Sequence, residues 1–307
     1  MTRDENFSNP VHDANFPDPF VLRSGDAYHA YATNDATKNV PTLRSSNLVD
    51  WKGVGDAMPD LPVWVVPGKT WAPEVLRLGD GPYVLYYTAA SGAAGVQCVG
   101  RATSDTPAGP FVDRSGGPLV CQPDGGGSID ASPFRDTDGS LYLYWKNDGN
   151  AIGADTHIYA QRLSADGLSL VGRRERLFQQ DEAWEGDLVE APFMWRRERS
   201  YYLFFSGNAY DSEDYAVGYA RCEGPLGPCR KAEANPVLRS GRGAAGPGHL
   251  SLVEDREGRT WAAYHAWKPD AVGLEPPGRA FWLDRVSWGE HGPDIRGPTP
   301  GAQPAPG

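Results

Sequence analysis

The sequence lacks any long amphipathic helical segment, and that absence removes the parallel α/β folds, which need a helix between successive strands. It lacks any apolar run approaching a membrane span, which points to a soluble protein with no membrane partner. Basic residues are in deficit: 29 Lys and Arg against 40 Asp and Glu leave a formal net charge of -11. A polyanion such as nucleic acid needs a basic footprint, so no nucleic-acid partner is expected. Cysteine is scarce, and the four present fall in two local pairs, Cys98 with Cys121 and Cys222 with Cys229. Their spacings match no zinc pattern. Local pairing suits two disulfides formed in an oxidising compartment, with four buried thiols as the alternative. The opening residues, Met1 to Asn6, are too polar for the apolar core of a secretory leader. Either the chain lacks a leader or the leader has been trimmed, and the expectation is a secreted protein.

What the chain does have is Gly, Pro, Trp and Tyr in abundance, a mixture that favours many short strands joined by turns. Within that background one oddity recurs: a single polar residue set in a short apolar run. It is seen in Phe16-Pro17-Asp18-Pro19-Phe20, Trp71-Ala72-Pro73-Glu74-Val75, Ser128-Ile129-Asp130-Ala131-Ser132-Pro133 and Val189-Glu190-Ala191-Pro192-Phe193. A fifth copy, Gly246-Pro247-Gly248-His249-Leu250-Ser251, replaces the acid with histidine. A carboxylate in such a run is costly unless it faces a cleft or finds a partner. Asp18 to Glu74 is 56 residues, Glu74 to Asp130 56, Asp130 to Glu190 60, and Glu190 to His249 59. That period lies in the range of propeller blades, and five copies fill the chain.

Each marker leads into a hairpin: a short apolar strand, a Gly or charged turn, then an aromatic-rich strand. The aromatic strands are Tyr28 to Tyr31, Tyr83 to Tyr87, Leu141 to Trp145, Tyr201 to Phe205 and Thr260 to His265. Two further strand candidates follow in most units, such as Val96 to Ala102 and the phrase Leu43 to Trp51 in the first. Four antiparallel strands repeated five times predict an all-β, five-bladed β-propeller over residues 9–291. A sandwich would not predict so regular a period. Residues 292–307, rich in Pro and Gly, read as a flexible tail or linker stump.

The first strand of a propeller blade lines the central channel, so the five markers are expected to converge near the axis. Neighbouring carboxylates in a partly dry cleft repel, and at least one then holds its proton. A protonated acid beside an ionised one is the equipment for glycoside hydrolysis. The plainer alternative has these acids capping loops or pairing with Arg and Lys at strand ends.

The set Asp18 in Phe-Pro-Asp-Pro-Phe, Asp130 in Ser-Ile-Asp-Ala-Ser-Pro-Phe, Glu190 in Val-Glu-Ala-Pro and His249 in Gly-Pro-Gly-His resembles glycoside hydrolase family 43. Trp71-Ala72-Pro73-Glu74, Arg44 to Trp51 and Pro107 to Phe111 support the resemblance, which spans roughly residues 9 to 290. The resemblance implies an inverting mechanism on a five-bladed propeller. Asp18 would be the general base that activates water, and Glu190 the general acid that protonates the leaving oxygen. Asp130 would orient Glu190 and help it keep its proton until needed. The working carboxylates of an inverting pair stand about 6.5–9.5 Å apart to admit a water.

No cofactor is implied, although a structural cation, calcium or sodium, near the axis is compatible with the family. His249 would bind that cation through water or contact the sugar, with a neutral core imidazole as the alternative. Trp71 is expected on the sugar-binding wall, or else in ordinary propeller core. Arg285 is expected to reach the cleft, or else to pair with Asp284. Glu74 is expected to be structural. The motifs of a retaining fructan-hydrolysing relative, Arg-Asp-Pro and Glu-Cys, are missing, and Asp18 excludes the baseless exo-galactanase branch. The resemblance implies a plant-type polysaccharide or oligosaccharide containing arabinose or xylose. An exo-acting α-L-arabinofuranosidase is favoured by the single domain and the short blade-joining loops, with β-xylosidase and endo-arabinanase as alternatives. A propeller lectin is the competing class, but it would carry one sugar site per blade, whereas these markers differ from blade to blade.

Overall fold

The computed structural model describes residues 6–307. The polar opening read above as no leader, Met1 to Glu5, lies outside the described residues. Five antiparallel sheets follow one another along the chain, each a meander in which every strand pairs with the next. Blade 1 comprises Phe20–Ser24, Ala27–Tyr31, Pro41–Ser45 and Lys52–Asp56. Blade 2 has three strands, Val65–Arg77, Tyr83–Ser91 and Gln97–Ser104, and its outer edge is finished by isolated bridges from Val99 to Val120 and Thr103 to Val112. Blades 3 and 4 begin at Ser128–Arg135 and Val189–Arg197, and blade 5 at Ala245–Glu254. Among the described residues there is no α-helix, only three short 3-10 turns. The chain is a five-bladed β-propeller.

The hairpins form where the sequence places them. In each blade the aromatic strand is largely buried, with alternate side chains packed on opposite faces of the blade, so it reads as a nearly continuous apolar run. Its turn is closed by a residue of positive φ, Gly139 in blade 3 (φ 84) and Glu198 in blade 4 (φ 54). Packing between blades is dominated by aromatics. Tyr202 of blade 4 packs on Trp288 of blade 5 at 5.0 Å and Phe20 of blade 1 meets Phe193 of blade 4 at 6.4 Å, while within blade 3 the fully buried Trp145 stacks on Tyr159 at 5.8 Å.

The ring is closed by both chain ends, and here the structure departs from the expected tail. Gly292–Ile295 is the fourth strand of blade 5, paired with Ala280–Gly289. Gln303–Pro304 pairs antiparallel with Asn6–Phe7. Between them the buried carboxylate of Asp284 accepts hydrogen bonds from the Asn9 and Gln303 side chains and the Thr299 amide. Residues 292–307 are therefore not a loose stump. Their Pro and Gly content hides long-range hydrogen bonds that composition does not register.

Candidate active site

The five innermost strands enter the axis with a shared backbone device. Asp18, Ala72, Asp130, Ala191 and His249 all adopt the left-handed conformation, with φ between 43 and 57. In blades 2 to 5 this residue falls inside a β-bulge, where the register with the aromatic strand shifts. Such φ values are unfavourable for non-Gly residues and persist only where the surroundings hold them. The holding groups are visible. The amide of Asp18 donates to His265 Nδ1 (3.1 Å), that of Ala72 to Thr33 Oγ1 (2.9 Å), that of Asp130 to Thr88 Oγ1 (3.0 Å) and that of His249 to Ser206 Oγ (2.9 Å). Ala191 is the exception, and its amide donates to Asp130 Oδ2 (2.9 Å).

This frame corrects the sequence register. The equivalent positions are Asp18, Ala72, Asp130, Ala191 and His249, so Glu190 stands one residue before its blade's bulge residue and Glu74 two residues after. Asp18, Asp130, Glu190 and His249 do line one cleft of about 500 Å³ at the axis. Glu74 does not. Its carboxyl is buried between blades 2 and 3 and accepts a hydrogen bond from Ser132 Oγ (2.8 Å); burial pushes its pKa well up, which suits a neutral acid with a structural role.

Asp18 is the most heavily engaged carboxylate. Arg279 Nη1 donates to its Oδ1 (2.8 Å), Thr33 Oγ1 donates to its Oδ2 (2.5 Å), and His249 Nδ1 lies 3.4 Å from Oδ1. Burial opposes its charge, but Arg279 first and then His249 hold its pKa well below the usual carboxylate range. His265 is pulled down to about 3 by burial and then by Arg279, so its ring is neutral. Because Nδ1 accepts the Asp18 amide, its 3.3 Å approach to Oδ1 is a contact and not an ion pair.

Glu190 has a different environment. Tyr215 donates its hydroxyl to Oε1 (2.7 Å), and Lys146 Nζ lies 3.3 Å from Oε2. Lys146 is fully buried, with Asn150 Oδ1 at 2.7 Å and Asp148 Oδ1 at 3.9 Å completing its surroundings. Asp130 is fixed to the peptide next to Glu190 through its bond to the Ala191 amide. Burial pushes the Asp130 pKa up to about 6, with Glu190 adding to the rise and His249 opposing it.

Trp71 lines the cleft, as do Lys69, Asn34 and Tyr210. Arg285 does not. It sits opposite Trp261 on the neighbouring strand, whereas the cleft end of that pair of strands is marked by Ala280 opposite Ala266. Six residues of extended chain from Arg279 put it about 20 Å away. Alternation told which face Arg285 occupies and not which end of the strand. The arginine in the cleft is Arg279, whose guanidinium lies 4.7 Å from the Tyr210 ring centroid and 5.8 Å from that of Trp267.

A signal for the missed residues exists in the sequence. Thr33, Thr88, Lys146, Ser206 and His265 each stand five residues after Tyr28, Tyr83, Leu141, Tyr201 and Thr260, at one offset along the five aromatic strands. Three accept from the amide of the next blade's left-handed residue with Thr or Ser, one with His, and blade 3 uses the position for the lysine beside Glu190. Among the described residues no group of three or more His, Cys, Asp or Glu could hold a metal ion, so the cation expected beside His249 gains no set of side-chain ligands. The two disulfides, Cys98–Cys121 and Cys222–Cys229, are present.

Comparison with known proteins places this geometry. A solved thermostable family-43 glycoside hydrolase is 32% identical and superposes with a TM-score of 0.89, covering 98% of this chain and 99% of that one. A beta-xylosidase of Bacillus subtilis is 28% identical over 96% of this chain and 58% of its own length. A non-reducing end alpha-L-arabinofuranosidase of Bacteroides ovatus is 27% identical over 93% of this chain and 52% of its own length. The chain thus spans little more than half of these two curated relatives. Residues 7–293 match the sequence family described as glycosyl hydrolases family 43, an inverting family of O-glycosyl hydrolases, and the chain belongs to it.

Proposed function

We propose that this glycoside hydrolase is an exo-acting α-L-arabinofuranosidase that releases arabinose from arabinan or arabinoxylan by single displacement. The observation that carries the mechanism is the gathering of Asp18, Asp130 and Glu190 in one cleft, each on different partners. Asp18 is held ionised by Arg279, while Glu190 bonds Tyr215 and Lys146 and stands beside Asp130, which is fixed to the Ala191 amide. Asp18 takes a proton from a water, whose oxygen attacks the anomeric carbon on the face opposite the leaving group. The glycosidic C–O bond breaks, Glu190 gives its proton to the departing oxygen, and the anomeric configuration inverts. Asp130 positions Glu190 through the Ala191 amide and sets a negative charge beside it. Trp71 offers an aromatic face to sugar C–H groups, and His249 reaches the bound sugar or an ion held through water. The reaction so drawn uses side chains and water alone.

A cleft of about 500 Å³ suits one or two sugar rings, which supports exo action. The arabinofuranosidase of Bacteroides ovatus supports the choice of sugar, and the Bacillus subtilis beta-xylosidase supports the second reading, a β-xylosidase. Endo-arabinanase activity would need a longer groove. Two disulfides support secretion. Comparing kcat/KM on an aryl α-L-arabinofuranoside and an aryl β-D-xyloside tests the choice. At least a tenfold preference for the arabinofuranoside is expected, and a preference for xylose would reverse the assignment.

A further inference from the structure

A second groove, of about 970 Å³, lies away from the cleft where the chain's last residues pack on blade 5, and it is lined by Arg239, Arg242, Arg259, Arg285 and Arg296 with Trp261. No Asp or Glu lines it, in a chain whose net charge is -11. Arg259 is satisfied by Asp255 (2.7 Å) and Glu257 (3.2 Å), and Arg296 lies 3.9 Å from Asp294. Among the described residues, Arg239, Arg242 and Arg285 have no carboxylate within 4 Å. Arg285 lies 5.6 Å over the Trp261 ring, and its buried Nε has no hydrogen-bond partner. Burial, and then the neighbouring Arg259, pull its pKa down, which describes a cation short of a counter-charge.

We propose that this groove is a second saccharide site, specific for glycan chains that carry carboxylate groups on uronic acid residues. Every cation lining it is arginine, whose planar fork matches a carboxylate in two parallel hydrogen bonds. The arginines come from four separate segments and spread over a groove far larger than a lone inorganic anion needs, so the charge pattern fits a chain of spaced carboxylates. The identification of the anion as a uronate rests on the reading of the protein as a polysaccharide hydrolase. Bound there, an acidic backbone tethers the enzyme and raises the local concentration of neutral side chains at the cleft.

The test is calorimetric titration of the whole protein with an oligogalacturonate about eight residues long, set beside a neutral arabino-oligosaccharide and inorganic phosphate. The double variant Arg239→Ser with Arg242→Asn alters only exposed positions, and Asn tolerates the positive φ at residue 242. Binding of the oligogalacturonate is expected to weaken steeply between about 20 mM and about 300 mM salt. It should weaken about tenfold in the double variant, which loses two charge-assisted contacts. Hydrolysis of a small aryl glycoside should be unchanged in that variant. Absent binding, equal binding by wild type and variant, or binding of inorganic phosphate but not oligogalacturonate overturns the proposal. Because the aryl glycoside assay is independent of the groove, any of these results leaves the hydrolase reading standing.

Discussion

Replacing Arg279 by methionine probes the electrostatics of the cleft most sharply. The Nη1 to Oδ1 distance of 2.8 Å corresponds to an attraction of about 6 kcal/mol at an effective dielectric of about 20. Both side chains are nearly buried, 8% and 12% exposed, so little of this is lost to solvent screening. Removing one partner of a buried pair typically costs about 3–5 kcal/mol, and the lower end applies because Thr33 still donates to Asp18. The pKa of Asp18 is depressed in the folded protein, so the pair contributes stability above the unfolded-state value and loses it as pH falls through the folded one. Arg279→Met should therefore be about 3 kcal/mol less stable than wild type at pH 7.5, with the deficit shrinking only as pH falls below about 4. Burial, no longer opposed by Arg279, should raise the Asp18 pKa. The fold loss in kcat/KM would then grow as pH is lowered. Urea unfolding at several pH values and a pH–rate profile on an aryl glycoside supply both readouts. A stability deficit and a rate ratio that are both independent of pH would refute the assignment of Arg279 as the group that keeps Asp18 ionised.

Asp130, raised to about 6, is an anion above that pH and neutral below it, so its help to Glu190 is present on the alkaline side and lost as pH falls. The acidic limb of kcat/KM should lie near pH 6 in wild type, and Asp130→Asn should lower kcat about a hundredfold and flatten that limb. An unchanged limb would exclude Asp130 as its source. Thr88→Val keeps the shape of the side chain but leaves the Asp130 amide without an acceptor, so a loss of about 1–3 kcal/mol is expected by urea unfolding. Wild-type stability would mean that the hydroxyl does not hold the bulge.

The blades were legible in the sequence because a hairpin writes two signals at once, apolar strands of fixed length and a turn between them. The ring position of the acids was legible only in part. The repeat is set by a backbone conformation, and in blades 2 and 4 alanine occupies that position, so a search for acids slid to Glu74 and Glu190. The second strands carried a cleaner signal, since Thr33, Thr88, Lys146, Ser206 and His265 share one offset, but their chemistry differs and only their common spacing links them. Lys146 shows the cost of overlooking it: nothing in the apolar run Leu141 to Trp145 marks the next residue as the cation beside Glu190. Arg285 and the chain's end were misplaced for a related reason. Which end of a strand faces the axis, and which distant residues a Pro-rich segment meets, are decided by ring closure.

The central claim, that Asp18 and Glu190 act as base and acid in one cleft, is tested most directly by the leaving-group dependence of Glu190→Gln and Asp18→Asn. A glycoside with a strongly activated leaving group needs no protonation of its departing oxygen, whereas attack by water is needed for every substrate. Glu190→Gln should lose at least about a thousandfold in kcat/KM on an unactivated oligosaccharide but no more than about tenfold on a dinitrophenyl glycoside. Asp18→Asn should lose at least about a thousandfold on both. Equal losses in Glu190→Gln on the two substrates, or retained activity in Asp18→Asn on either, would contradict the account.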